Sequence, residues 1–395
     1  MGTCVTHRLA AAVVVMLAIV ACGGGPNSPG QPAPTAARPA ASASADSAGR
    51  EPLFAALEPG GDLTSLRDNA VAIVRLDGTA KAKARFDARQ LPKIGNALPL
   101  PQPEARVAAG KVYFADASGV IRSLAVDGTV ANVTTIPLTS GQQILTFAVS
   151  PDGTEVMAAV FSFPPVRNPP PQSPIDSPFG PGDYTLQVWT AKVGQNPISL
   201  AKRSWPQSGG IPRDVLEVVG WSREGPLATI DSVLGTQQGS LGRVMFGHVA
   251  HLDTAGRPGP PLGGYSCDAW SVLPDETVLC DDDGGLHNFS VRDKDGRVRY
   301  RFQSPGDQPY LDLTMSPDGS RVAYLANGGQ SAVIDRNGKT VKLVPNFKPQ
   351  GWLNTSTLVG VVQTPLGEGN MALVRLDRPT VLQDLGFHGF FVGAV

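Results

Sequence analysis

The chain has 395 residues, with 33 Lys and Arg against 34 Asp and Glu, for a formal charge of −1. So even a balance excludes the basic footprint that nucleic-acid binding requires. Its 45 Gly and 36 Pro, with only 17% charged residues, describe a chain rich in turns and poor in exposed helix.

Residues 1–21 carry the pattern of a signal peptide: His7 and Arg8 near the start, an apolar run over 9–21, and small residues at its end. That run of 13 residues is too short to cross a hydrocarbon core of roughly 30 Å. The end of the run, Ile19-Val20-Ala21-Cys22, resembles the lipobox of bacterial lipoproteins. The resemblance implies that Cys22 is lipidated, with palmitate among its acyl chains, and becomes the mature N-terminus. The bland alternative is an ordinary cleavage site beside a chance cysteine. Cleavage removes Arg8 and no acid, so the balance becomes 32 − 34 = −2.

Residues 22–51 follow as a tether. From Gly23 to Glu51 there is no Leu, Ile, Val, Phe, Trp or Tyr, so the segment cannot bury enough surface to fold. Its 29 residues reach about 30 Å as a flexible coil. Residues 52–395 are expected to form one folded domain, held near a membrane and clear of it.

In that domain, 53–69 is ambiguous between a short helix and a strap. Residues 70–77, Gly78 and 80–86 read as strand, turn, strand, which is half a blade of a β-propeller. Complete four-strand units follow at 105–138, 144–205, 215–262, 265–302, 311–345 and 350–385. Residues 315–345 give the plainest unit. Ser316-Pro317-Asp318-Gly319 is a turn, since Pro presets φ, Asp bonds the backbone two residues on and Gly accepts a positive φ. Residues 321–326, 332–334 and 340–344 then read as strands, with a second turn at 335–338. The first turn recurs at Ser150-Pro151-Asp152-Gly153 and, degraded, at Ser222-Arg223-Glu224-Gly225 and Leu273-Pro274-Asp275-Glu276. The later turn is marked by Asp253, Asp293, Asp335 and Asp377, spaced 40, 42 and 42 residues apart, which matches a propeller blade of about 40 to 45. Residues 386–395 align with the opening strands of other units and lack a following turn. They are expected to complete the half-blade near Ala70, closing an all-β ring of seven four-stranded blades and removing its open edge. The same pattern admits six or eight blades.

These repeats, above all Ser316-Pro317-Asp318-Gly319-Ser320-Arg321-Val322-Ala323-Tyr324-Leu325-Ala326, resemble the WD40-like (PD40) repeats of TolB-type periplasmic propellers. The resemblance covers two units well and four or five loosely. It implies an exported propeller that binds protein partners at the cell envelope. The chain departs from TolB in lacking room for an N-terminal α/β domain and in carrying its own lipid anchor.

Cys4 leaves with the signal and Cys22 takes lipid, so Cys267 and Cys280 remain in the exported part. In an oxidising compartment such a pair forms a disulfide, and closing its short loop contributes ~3 kcal/mol. Hairpin counting about Pro274-Asp275 places Cys280 nearer Ser271 than Cys267, so the bridge needs a bulge or a wide turn. The alternative is two buried thiols.

Antiparallel order puts the first and third turns of every blade on one face and the second loops and connectors on the other. The departures from the repeat fall on the second face: the insertion 162–183 with eight prolines, the insertion 232–246, and the connector 202–214. Long loops on a rigid scaffold carry binding. Phe179, Tyr184, Trp205 and Arg213 are the candidate partner contacts, against the alternative of solvated loops with no function. Asp281-Asp282-Asp283-Gly284 reads as an acidic solvated turn rather than a Ca²⁺ loop, since consecutive carboxylates lack alternating ligand spacing. Asp293-Lys294-Asp295-Gly296 is a hairpin. His248 and His251, three apart on a strand, point to opposite faces and cannot chelate one ion. Trp221, Trp270 and Trp352 read as packing between blades. There is no nucleophile elbow, Gly-x-Gly-x-x-Gly or phosphate-binding loop.

Two functions follow. The first is a monomeric, lipid-anchored binding module at the cell membrane or outer membrane. It faces the extracytoplasmic side, needs no cofactor or metal, and holds an envelope protein or glycan; a structural role in the wall differs only by partner. The second is a lactonase- or lyase-type enzyme with a divalent metal in the central channel, to which His388 and Asp312 would contribute.

Overall fold

The Ser-Pro-Asp-Gly turns close by their own chemistry. In the computed structural model the Ser316 hydroxyl donates to Asp318 Oδ1 (2.6 Å) and accepts from Arg321 N–H (3.0 Å), while Gly319 N–H donates to Ser316 O (2.8 Å) at φ +68°. Ser150, Asp152 and Gly153 repeat the arrangement, with 2.6 Å from hydroxyl to carboxylate and φ +73° at the glycine. The reversal delivers two antiparallel strands, and the pattern repeats around the chain. The structure describes residues 51–60, 68–88, 105–139, 143–165, 181–206, 215–232, 247–304, 309–326, 329–364 and 367–395. All of them belong to the unit Glu51–Val395. Cys22, the signal segment and the tether lie outside them.

Twenty-eight strands form seven four-stranded antiparallel sheets, and no helix accompanies them among the described residues. The chain is a seven-bladed β-propeller. Blade one joins β1 (Leu53–Glu58), β2 (Asn69–Arg75) and β3 (Ala80–Phe86) to the last strand, β28 (Phe390–Ala394), in the order β28-β1-β2-β3. Blade two is β4 (Ala105–Ala108), β5 (Lys111–Ala115), β6 (Val120–Leu124) and β7 (Val130–Thr135). Blade three is β8 (Gln143–Val149), β9 (Glu155–Ser162), β10 (Asp183–Lys192) and β11 (Ile198–Pro206). Blade four is β12 (Val215–Trp221), β13 (Pro226–Ser232), β14 (Val249–Leu252) and β15 (Pro258–Pro261). Blade five is β16 (Asp268–Val272), β17 (Val278–Asp281), β18 (Asn288–Arg292) and β19 (Val298–Gln303). Blade six is β20 (Tyr310–Met315), β21 (Arg321–Ala326), β22 (Ser331–Asp335) and β23 (Thr340–Lys342). Blade seven is β24 (Phe347–Asn354), β25 (Thr357–Thr364), β26 (Gly367–Arg375) and β27 (Leu382–Asp384).

The core lies between blades. Seven apolar clusters each join one blade to the next, and the cluster of Phe54, Ala56, Val74, Val359, Leu373 and Phe391 joins blade seven back to blade one. Because a strand turns successive side chains to opposite faces, β1 serves two seams: Leu53, Ala55 and Leu57 pack toward blade two, Phe54 and Ala56 toward blade seven. The helix-or-strap reading of 53–69 is therefore corrected. Residues 53–58 are the second strand of blade one, apolar from Leu53 to Leu57 because neither face meets water there, with the partly exposed Glu58 at its end. The C-terminus closes the ring with a single strand, β28, and three strands come from the N-terminal side.

The seam between blades four and five has the smallest cluster among the described residues, Leu227, Val249, Leu262, Cys267, Ala269, Val278 and Cys280. It contains the disulfide Cys267–Cys280, whose Cα atoms are 4.8 Å apart. The required bulge is present. Ala269 pairs with Cys280 and Ser271 with Leu279, so Trp270 is an extra residue in β16, and Cys280 comes to lie opposite Ala269, two residues from Cys267. Trp270 and Trp352 are buried in the seams on either side of blade six, and Trp352 Nε1–H donates to Thr314 O (3.0 Å). Trp221 packs partly buried between blades three and four.

Candidate functional site

On the loop face, β10 and β11 form a long hairpin paired from Asp183–Pro206 to Thr190–Ile198. Phe161, Phe163, Tyr184 and Trp205 gather where the insertion leaves and re-enters this sheet. Phe161 meets Phe163 edge-on (5.0 Å between ring centroids), lies parallel to Tyr184 (5.9 Å) and tilts against Trp205 (6.4 Å). Tyr184 is 1% exposed, and Trp205 is half-buried over the same cluster. The structure thus sets both rings into the packing at the foot of the insertion, at the ends of β9, β10 and β11. Phe179 and Arg213 lie outside the described residues, as do 166–180, 207–214 and 233–246 of the long loops.

The acidic turn after β17 is bonded internally through Asp281 and Asp282, while Asp283, Gly284 and Gly285 are exposed as expected of a solvated turn. Asp281, 1% exposed, accepts from Leu286 N–H (3.0 Å) and Asp283 N–H (3.3 Å). Burial pushes its carboxyl up to about 6, with Asp283 beside it adding to the push. The Asn288 amide, bonded to Asp283 Oδ2, chiefly holds Asp283 down at about 2. Asp282 Oδ1 accepts from Ser290 Oγ (2.6 Å) and from Arg292 Nη2 (2.6 Å).

Asp312 and His388 take separate partners. Lys348 Nζ of β24 stands 3.3 Å from Asp312 Oδ2 of β20, across the seam of blades six and seven, and 3.0 Å from Glu368 Oε1 of β26. Burial works against the Lys348 charge, but the two carboxylates outweigh it and hold the ammonium more firmly than usual. His388 Nδ1 lies 3.2 Å from Gly369 O.

The group that sequence reasoning missed lies on the turn face, at the seam between blades four and five. Glu224, His251 and Glu276 bring one ligand atom each to within 4.8 Å of one another. Two degraded turns and the end of β14 supply them. In the intact turns the serine hydroxyl donates to the aspartate of its own turn, whereas Ser222 Oγ donates across the seam to Glu276 Oε1 (2.8 Å). Glu276 occupies the position where the other turns carry glycine, at φ +65°, a conformation that costs about 1 kcal/mol or more for a residue with a Cβ. Arg223 N–H donates to Pro274 O (3.2 Å), locking the two turns together. His251 Nε2 lies 3.1 Å from Glu276 Oε1. His248 instead has its Nε2 2.7 Å from Tyr265 O, so the two histidines part as their spacing on a strand requires. The signal in the sequence was the substitution of Glu at the third position of one degraded turn and the fourth position of the next.

No protein-family model matches the chain, and no curated protein matches it. Solved structures with similar folds include "KlHsv2 with loop 6CD replaced by a Gly-Ser linker", 13% identical over 78% of this chain and 88% of that one, with a TM-score of 0.40. An acylaminoacyl peptidase from Pyrococcus horikoshii is 11% identical over 84% of this chain and 52% of its own, with a TM-score of 0.48. This chain thus spans about half of that peptidase. The dihydro-heme d1 dehydrogenase NirN in complex with DHE is 12% identical over 87% and 74%, at 0.41. Similarities this remote carry no argument about activity, and the blade count rests on the chain's own seven sheets.

Proposed function

We propose that the chain is an exported lipoprotein, anchored through lipid on Cys22, whose TolB-like propeller holds an envelope protein or glycan on its loop face. The observation that carries this reading is the lipobox-like end of the apolar run, Ile19-Val20-Ala21-Cys22, followed by a segment that cannot fold. The Cys267–Cys280 bridge supports it, because disulfides persist in oxidising compartments outside the cytoplasm. The face rests on the insertions 162–183 and 232–246 and the connector 202–214. The strands that flank them all belong to blades three and four, and aromatic packing gathers at the foot of the first.

Expressed in a bacterial host, the full chain should fractionate with membranes and carry acyl chains on Cys22 by mass spectrometry. Cys22→Ser should release it into the soluble extracytoplasmic fraction. Membrane association that survives Cys22→Ser removes the anchor from the proposal. Capture of envelope components should then depend on the insertion: replacing residues 162–183 with a short Gly-Ser turn, with folding unchanged, should abolish it.

A further inference from the structure

The Glu276 carboxylate is 3% exposed, and the partners within bonding distance are the Ser222 hydroxyl and the His251 ring. A carboxylate this deep needs a counter-charge. The other ring nitrogen of His251, Nδ1, is buried and without a hydrogen-bond partner. Whatever orients the ring acts through Nε2, and therefore at Glu276. Glu224 stands beside them on the exposed side, with Lys294 Nζ 3.8 Å from its Oε1 across open surface.

We propose that Glu224, His251 and Glu276 bind one divalent transition metal of the Zn²⁺ type, which bridges blades four and five. Ligand distances of about 2.0 to 2.2 Å around a tetrahedral ion put neighbouring ligand atoms about 3.3 to 3.6 Å apart. The 3.1 Å between His251 Nε2 and Glu276 Oε1 is slightly short of that spacing, so a small opening of the pair admits the ion. The three ligand atoms span no more than 4.8 Å, so Glu224, which is exposed and free to swing, closes the remainder. In the bound form the proton of His251 Nε2 has passed to solvent and the ring keeps its N–H on Nδ1, so Nε2 directs its lone pair at the ion, and Ser222 Oγ stays on Glu276 to orient the carboxylate as an outer-shell partner. One nitrogen and two carboxylates suit zinc better than calcium, whose sites are built from oxygen alone. Solvent completes the coordination on the Glu224 side. The ion would cross-link the seam that has the least apolar packing among the described residues.

The test uses the full chain, stripped with a chelator and dialysed against Zn²⁺. The expected result is one Zn²⁺ per chain, and a Co²⁺-loaded sample with visible absorption bands that His251→Gln removes. Glu224→Ala should weaken Zn²⁺ binding by about tenfold or more, while the metal-free variant melts at the same temperature as metal-free parent. That variant keeps the test valid if Glu276→Gln fails to fold. The proposal is overturned if the parent retains no Zn²⁺, if Glu224→Ala and His251→Gln bind it as tightly as the parent, or if a tenfold excess of Ca²⁺ displaces it.

Discussion

A Cβ placed on Gly351 of β24 would lie 2.4 Å from Cδ1 of Phe391 in β28. The ring that closes the propeller therefore rests on the backbone of the neighbouring blade, and Phe391 N–H donates to Gln350 Oε1 (2.8 Å) at the same place. Closure depends on one aromatic side chain meeting one absent side chain.

Gly351→Ala should therefore strain the closing seam. Overpacking of this kind costs about 1 to 3 kcal/mol, and Phe391→Ala, which empties the site, about 3 to 5 kcal/mol. Chemical denaturation should show both losses, with the double variant Gly351→Ala/Phe391→Leu recovering part of the first. A Gly351→Ala midpoint equal to the parent's would show that the closing strand shifts freely.

The bridge Cys267–Cys280 has both cysteines buried, so reductant should not reach it in the folded protein. Cys280→Ser should cost about 3 kcal/mol, the value for a loop of this length. Adding dithiothreitol should lower the denaturation midpoint of the parent and leave that of Cys280→Ser where it is. A parent indifferent to reductant at its own midpoint would remove the bridge from the stability of the seam.

How legible this architecture was depended on whether a feature is local. The Ser-Pro-Asp-Gly turns and the Asp-to-Gly turns are complete in four or five residues, so their blades stood out from the sequence. Strand β1 did not, because Leu53 to Leu57 are apolar on both faces and show neither period 2 nor 3.6. The bulge at Trp270 could be required but not placed, since hairpin counting fixes separation and not register. Tyr184 and Trp205 read as candidate partner contacts because they flank an insertion, and pairing across β10 and β11, which no short window shows, sets them side by side over Phe161. The Glu224–His251–Glu276 group needs two turns 51 residues apart (273 − 222) brought to one seam, and no short window of sequence contains that.

The acidic turn predicts a stability maximum near pH 4. The Asp281 carboxyl is raised to about 6 in the folded chain, above its unfolded value near 3.8. The folded state thus holds an extra proton between those values, and stability falls as pH rises from about 4 to 6. Asp283, lowered to about 2, acts in the opposite sense, with stability present above about 4 and lost as pH falls toward 2. Asp281→Asn should flatten the limb between pH 4 and 6 and leave the acid limb standing. A melting profile with the same slope above pH 4 in parent and variant would assign that titration to another group.

The two aromatics at the foot of the insertion should separate by burial. Tyr184 is 1% exposed and touches Phe161 and Phe163, so Tyr184→Ala leaves a cavity in the seam between blades three and four and should cost about 3 to 5 kcal/mol. Trp205 covers Phe161 from the outer strand and is only partly buried, so Trp205→Ala should cost about 1 to 2 kcal/mol, in line with the smaller area uncovered. Partner capture distinguishes packing from recognition. If Trp205 acts only by fastening the insertion, Trp205→Phe should restore both stability and capture. A variant as stable as the parent that still loses capture would make the indole itself part of the binding surface.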